Sequence, residues 1–92
     1  MNNDLLKYIT EFLGTIILVF IGLITNGNFI AIGVCLAICV YLGGSISGGA
    51  YNPAIVISYL FINKINTFQF VCYLTFELLG ALVACWLYNM IH

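Results

Sequence analysis

Polar positions along this chain come in short clusters, and the stretches between them are almost purely apolar. The clusters fall at residues 2–4, 25–28, 45–52 and 63–66. The first apolar segment runs from about residue 5 to 24, with Asn2, Asn3 and Asp4 ahead of it as candidate N-caps. About 20 residues at about 1.5 Å each span about 30 Å, enough to cross a hydrocarbon core. Asn26-Gly27 then marks a turn. The second segment, residues 29–44, covers about 24 Å, which is short and suits a thin or pinched bilayer. The last, residues 67–90, is again long enough to span. The pattern predicts an all-α membrane protein with three transmembrane helices, in one domain over residues 1–92.

The interruption at residues 45–62 is the informative part. It reads small and glycine-rich, and it holds the only proline, Pro53, directly after Asn52. Proline is tolerated at the first turn of a helix, where its missing N–H costs nothing, and Asn is a preferred N-cap. A helix from 53 to 62 has about 10 residues and a length of about 15 Å, half a bilayer. The polar turn Asn63-Lys64-Ile65-Asn66 belongs at the membrane surface. The half-helix therefore has one end at the surface and its N-terminus near the midplane. Irregular backbone at that depth persists only where protein covers it or water reaches it. Gly48 and Gly49 let the descending loop turn tightly and pack closely. The alternative is an interfacial loop followed by a surface helix; residues 54–61 offer no basic polar face for the headgroup layer.

Composition agrees with a lipid solvent. The chain is 64% hydrophobic and 5% charged, with two lysines and no arginine. A soluble surface needs about a quarter to a third of its residues charged. The shortage of basic residues argues against nucleic acid. Cys35, Cys39, Cys72 and Cys85 lie in apolar runs without CxxC spacing, so they read as small buried hydrophobes and not as a metal or disulfide framework. The first apolar run ends in Thr25-Asn26-Gly27-Asn28 with no small-x-small cleavage pattern, and reads as a retained helix. There is no nucleophile–base pair, metal set or phosphate loop, so no enzymatic activity and no cofactor are expected.

Two carboxylates sit inside apolar spans, Glu11 and Glu77. Such groups are costly in a bilayer and are by default functional or partnered. Thr15 falls one turn after Glu11, on the same face. Glu77 is expected to be either protonated and hydrogen-bonded or paired across helices. Gly33 with Ala37, and Gly80 with Ala84, repeat at the four-residue spacing of close helix contacts. Tyr41, Tyr59, Trp86 and Tyr88 suit either interface anchors or pore-facing positions.

SGGAYNPAI, Ser47 to Ile55, closely resembles the first re-entrant loop of the aquaporin and glycerol-facilitator family, the major intrinsic proteins, whose signature is close to SGAHFNPAV. KYITEFLGTIILVFIG, Lys7 to Gly22, looks like the family's first helix, and FELLGALVA, Phe76 to Ala84, like its third. The resemblance covers nearly the whole chain in order and spacing. It implies a half-helix whose positive end, with Asn52, Pro53 and Ala54, meets a single file of solute, with Gly48 and Gly49 in the loop. It also implies that Glu11, assisted by Thr15, accepts hydrogen bonds from the loop backbone and braces it. Three departures stand out. Glu77 occupies a place where Gln is usual, Ala50 replaces the loop His, and Ile55 follows the motif in a chain without the filter Arg.

Family members carry six spans and two such half-helices as inverted repeats, and the present sequence has three and one. The expected function is a membrane channel subunit for passive transport of water or small neutral solutes such as glycerol, built from two oppositely oriented halves. The second half would come from an inverted homodimer, a higher oligomer or a separate complementary half. Lys7 and Lys64 both fall on one side and favour one orientation weakly. The alternatives are a non-conducting truncated relative or scaffold, and proton-linked transport through Glu77.

Overall fold

Asn28 and Asn66 start two of the four helices by the same device. Each turns its side-chain oxygen onto a backbone N–H three residues on, Asn28 to Ala31 at 2.9 Å and Asn66 to Gln69 at 2.8 Å. Gln69 reaches back to the Asn66 N–H at 2.9 Å, completing a capping box. The computed structural model describes residues 3–92 and consists of α1 (Asn3–Ile24), α2 (Phe29–Ser47), α3 (Pro53–Phe61) and α4 (Thr67–Ile91). Asn3 and Asp4 lie within α1, and the expected cap Asn2 lies outside the described residues. No strand occurs among the described residues.

The second span is longer than the sequence pattern suggests. α2 continues through Gly44 to Ser47, giving 19 residues and about 28 Å, so no pinched bilayer is needed. The glycines do not end the helix, because each is used for contact. A Cβ at Gly43 would run into the Tyr51 hydroxyl, and the Gly44 Cα lies 3.4 Å from where a Cβ on the returning Gly49 would stand. Termination falls instead to Gly48, in the left-handed region at φ 93°, whose N–H bonds Gly44 O. α3 is correspondingly compact at 9 residues.

α1 is the central helix, with α4 packed along one side and α2 on the other, while α3 rests on α4. Gly80 lets α4 approach α1 closely: an added Cβ would stand 2.7 Å from Phe12 O and 3.2 Å from Thr15 Cβ. Ala84, one turn on, is fully buried. The other small pair behaves differently. Gly33 has nothing within 4 Å of an added Cβ, and Ala37 is exposed, so neither makes a helix contact within this chain.

Burial is inverted relative to a water-soluble protein. Leu13, Ile17, Phe29, Leu42 and Leu82 are all at least half exposed, whereas Glu11, Glu77 and Val56 are the largest fully buried side chains. A bilayer rewards that arrangement, because lipid accepts apolar side chains and the bundle interior holds the polar ones. α1, α2 and α4 are long and apolar enough to cross a membrane. Tyr41 and Trp86 stand on the outer surface, at 85% and 62% exposure. All four cysteines are free; only Cys39 is buried and Cys85 is exposed, so the expectation of four buried thiols is corrected.

Candidate functional site

Between α2 and α3 the chain doubles back on itself. Gly49, at φ 66°, passes so close to α2 that an added Cβ would lie 3.3 Å from the Val40 Cα and 3.4 Å from the Gly44 Cα. Only glycine serves there, on both conformation and space. Tyr51 follows, also at positive φ, 52°, and its hydroxyl donates to Cys39 O at 2.7 Å, two turns back along α2. α3 then runs the opposite way, until the Tyr59 hydroxyl donates to Gly48 O at 3.0 Å. The loop and half-helix thus form a closed hairpin, tied at its mouth by Tyr59 and at its tip by Tyr51.

Two further groups fix the loop. Glu11 accepts from the Tyr51 N–H at 2.8 Å through Oε1 and from the Ser47 hydroxyl at 2.6 Å through Oε2. Ser47 Oγ in turn accepts from the Gly49 N–H at 3.2 Å, and Tyr73 on α4 donates to Ser47 O at 2.7 Å. The carboxylate is completely buried, and hydrogen bonds to a buried charge are the strong kind. Thr15 makes no such bond: its hydroxyl is buried without a partner, and its side chain packs against Gly80. The expected assistance from Thr15 is therefore corrected to a helix contact.

Tyr51 is the residue that the sequence reading passed over. Its ring fills the crossing of α1 and α2 where both helices carry glycine, since a Cβ at Gly14 or Gly43 would collide with it. An aromatic beside the Asn-Pro step carries no signal by itself. The pairing with Gly14 and Gly43 becomes visible only once the helices are placed.

The half-helix begins as expected, with Asn52 Oδ1 accepting from the Ala54 N–H at 2.8 Å and Pro53 in the first turn. Its start lies at mid-depth in the bundle. The Asn52 backbone sits beside Glu77, the eleventh residue of α4, which is about 15 Å from that helix's N-terminus. Asn52, Pro53, Ala54 and Ile55 are exposed, in contrast with Ala50 and Tyr51 before them and Val56 after, which are buried. Gly48 and Gly49 lie away from that open face, under Tyr59 and against α2 respectively. Glu77 is buried, its carboxyl against those of Glu11 and the Asn52 backbone, with no hydrogen-bond partner for either oxygen. Among the described residues no group of acidic, Cys or His side chains could hold a metal ion.

The opposite end of the hairpin is basic. Lys7 and Lys64 line one cavity of about 260 Å³ together with Ser45, Gly48 and Tyr73. Lys7 pairs with Asp4 at 3.6 Å, and Lys64 lies 4.1 Å above the Tyr59 ring centre. Both lysines thus mark the same face of the membrane.

Residues 2–92 match the family model for the major intrinsic protein. The chain is 37% identical over 86 residues to glycerol uptake facilitator protein-like 6 of Lactiplantibacillus plantarum, covering 85% of this chain and 40% of that protein. It is 36% identical over 91 residues to nodulin-26 of Glycine max, covering 85% and 34%. Human aquaporin-9 is 28% identical over 89 residues, covering 82% and 30%. The chain spans well under half the length of these curated relatives, and no solved structure matches it. With three spanning helices and a match over nearly its whole length, this multi-pass integral membrane protein belongs to the major intrinsic protein family.

Proposed function

We propose that this chain forms half of a passive channel for water or small neutral solutes of glycerol size, completed by a second copy inserted in the opposite orientation. The observation that carries the reading is the exposed N-terminus of α3 at mid-depth of the bundle, directly after the buried Gly49, Ala50 and Tyr51. That end carries roughly half a positive charge and N–H groups without helical partners. Asn52 Oδ1 is committed to the cap, which leaves the amide's two donors for other partners. A water or alcohol oxygen passing there meets the N–H end of the half-helix, and a cation meets an opposing field.

One such end cannot enclose a path. Pro53, Ala54 and Ile55 present a small, apolar rim on which an identical end can sit, related by a two-fold in the membrane plane. The names of the relatives, glycerol uptake facilitator and aquaporin, support the solute class. In a pore built from two copies of this sequence, which holds no arginine, there is no guanidinium constriction, and exclusion of protons rests on the facing half-helices.

Stopped-flow light scattering of proteoliposomes tests this reading. Vesicles holding the protein should shrink faster under an osmotic step than empty ones, and Asn52→Asp should remove the gain. Rates equal to those of empty vesicles would leave a non-conducting membrane scaffold as the better description.

A further inference from the structure

Glu77 is an ionisable side chain that the channel reading leaves unused. It is 1% exposed, and neither carboxyl oxygen has a hydrogen-bond partner. Its neighbours explain why. The carboxyl lies against that of Glu11 on α1 and beside the Asn52 backbone N–H at the start of α3. The other titratable groups around the pair are Tyr59 on α3, Tyr51 in the loop and Tyr73 on α4. α2 contributes the Ser47 hydroxyl and, next to Tyr51, the Cys39 thiol. No cation joins them: Lys7 is paired with Asp4 and Lys64 lies over the Tyr59 ring.

Two carboxylates in contact and shielded from water cannot both hold a charge. The donors decide which one does. Both Glu11 oxygens already accept, from the Tyr51 N–H and the Ser47 hydroxyl, so Glu11 takes the acceptor's part in the pair. Glu77 meets a carboxylate where a donor is wanted. As the neutral acid it supplies that donor, and its carbonyl oxygen faces the Asn52 N–H.

We infer that Glu77 is a positioning residue that carries a proton on behalf of the pair, donates it in a hydrogen bond to Glu11, and so ties the middle of α4 to the brace that holds the tip of the loop. A consequence for permeation rests on the channel reading, whereas the proton and the tie do not. Loss of the proton puts two charges in contact and weakens the hold of Glu11 on Tyr51.

Infrared spectra and amide exchange of the full chain in lipid vesicles test this without any measurement of flux. The neutral-pH spectrum should contain the carbonyl band of a protonated carboxylic acid that survives in deuterated buffer and disappears in Glu77→Gln. Exchange at the Tyr51 amide should rise at least about tenfold in Glu77→Ala but stay near wild type in Glu77→Gln, which keeps a donor for Glu11. If a Glu77 variant fails to assemble, an isotope label at Glu77 alone in the wild type should shift the acid band, and an unshifted band overturns the inference. Absence of the acid band at neutral pH, or a loss of protection in Glu77→Gln equal to that in Glu77→Ala, overturns the inference.

Discussion

A single methyl group placed at Gly43 probes the wedge that shapes the loop. The Cβ of Gly43→Ala would collide with the Tyr51 hydroxyl and stand 2.8 Å from Thr10 Cγ2 and 3.3 Å from Tyr51 Cζ. Overpacking of this kind costs about 1–3 kcal/mol. Displacing the hydroxyl from Cys39 O, now at 2.7 Å, adds about 1 kcal/mol. The better helix propensity of Ala returns up to about 1 kcal/mol, which leaves a net loss of about 1–3 kcal/mol. Tyr51→Phe alone removes only the hydrogen bond, about 1 kcal/mol. In the double variant the clashing oxygen is gone, and only the Cζ contact and a methyl at the end of the Thr10 side chain remain. Gly43→Ala should therefore be nearly neutral in the Tyr51→Phe background, with a coupling of about 2 kcal/mol. Reversible unfolding in mixed micelles measures all four corners of the cycle. Strict additivity, within about 0.5 kcal/mol, would show that the ring does not occupy the crossing.

Three further outcomes follow from the same contacts. Glu11→Ala removes the acceptor of two short bonds to a buried charge and should cost about 3 kcal/mol or more in the same unfolding assay, with early exchange at the Tyr51 amide. A cost under about 1 kcal/mol would contradict the brace. Asn66→Ala should lose about 1 kcal/mol as the capping box opens, and Asn66→Asp should retain most of it. Gly33→Ala, with open space around it, should be neutral or slightly stabilising by unfolding, in contrast with Gly43→Ala; an equal loss would refute the assignment of the two faces.

The three spans and the start of the half-helix were readable because each depends on local signals. Asn28, Asn66 and Asn52-Pro53 are caps whose chemistry lies within three residues of the helix they begin. The expected end of α2 at Gly44 falls short because Ser45 and Ser47 resemble loop residues, yet both are helical. Glu11 was expected to brace the loop from a resemblance, and the structure adds its partners, Tyr51 and Ser47, at separations of 40 and 36 residues. No pattern along the chain encodes such a pairing. The same holds for Tyr59, whose anchoring of Gly48 depends on α3 returning to the level of the end of α2. Spacing alone also gave Gly33 with Ala37 the same weight as Gly80 with Ala84, although only the second pair has a helix opposite it.

The depth of Asn52 in the bilayer is the quantity on which the account turns. Spin labels placed singly by Asn52→Cys and Lys64→Cys, in a background with the four native cysteines replaced, can be read against gadolinium-carrying headgroups in each leaflet. The account predicts that position 52 lies about 20 Å from both headgroup planes, with position 64 close to one of them. Equal, shallow depths for the two positions would place α3 flat in the interface and contradict the account.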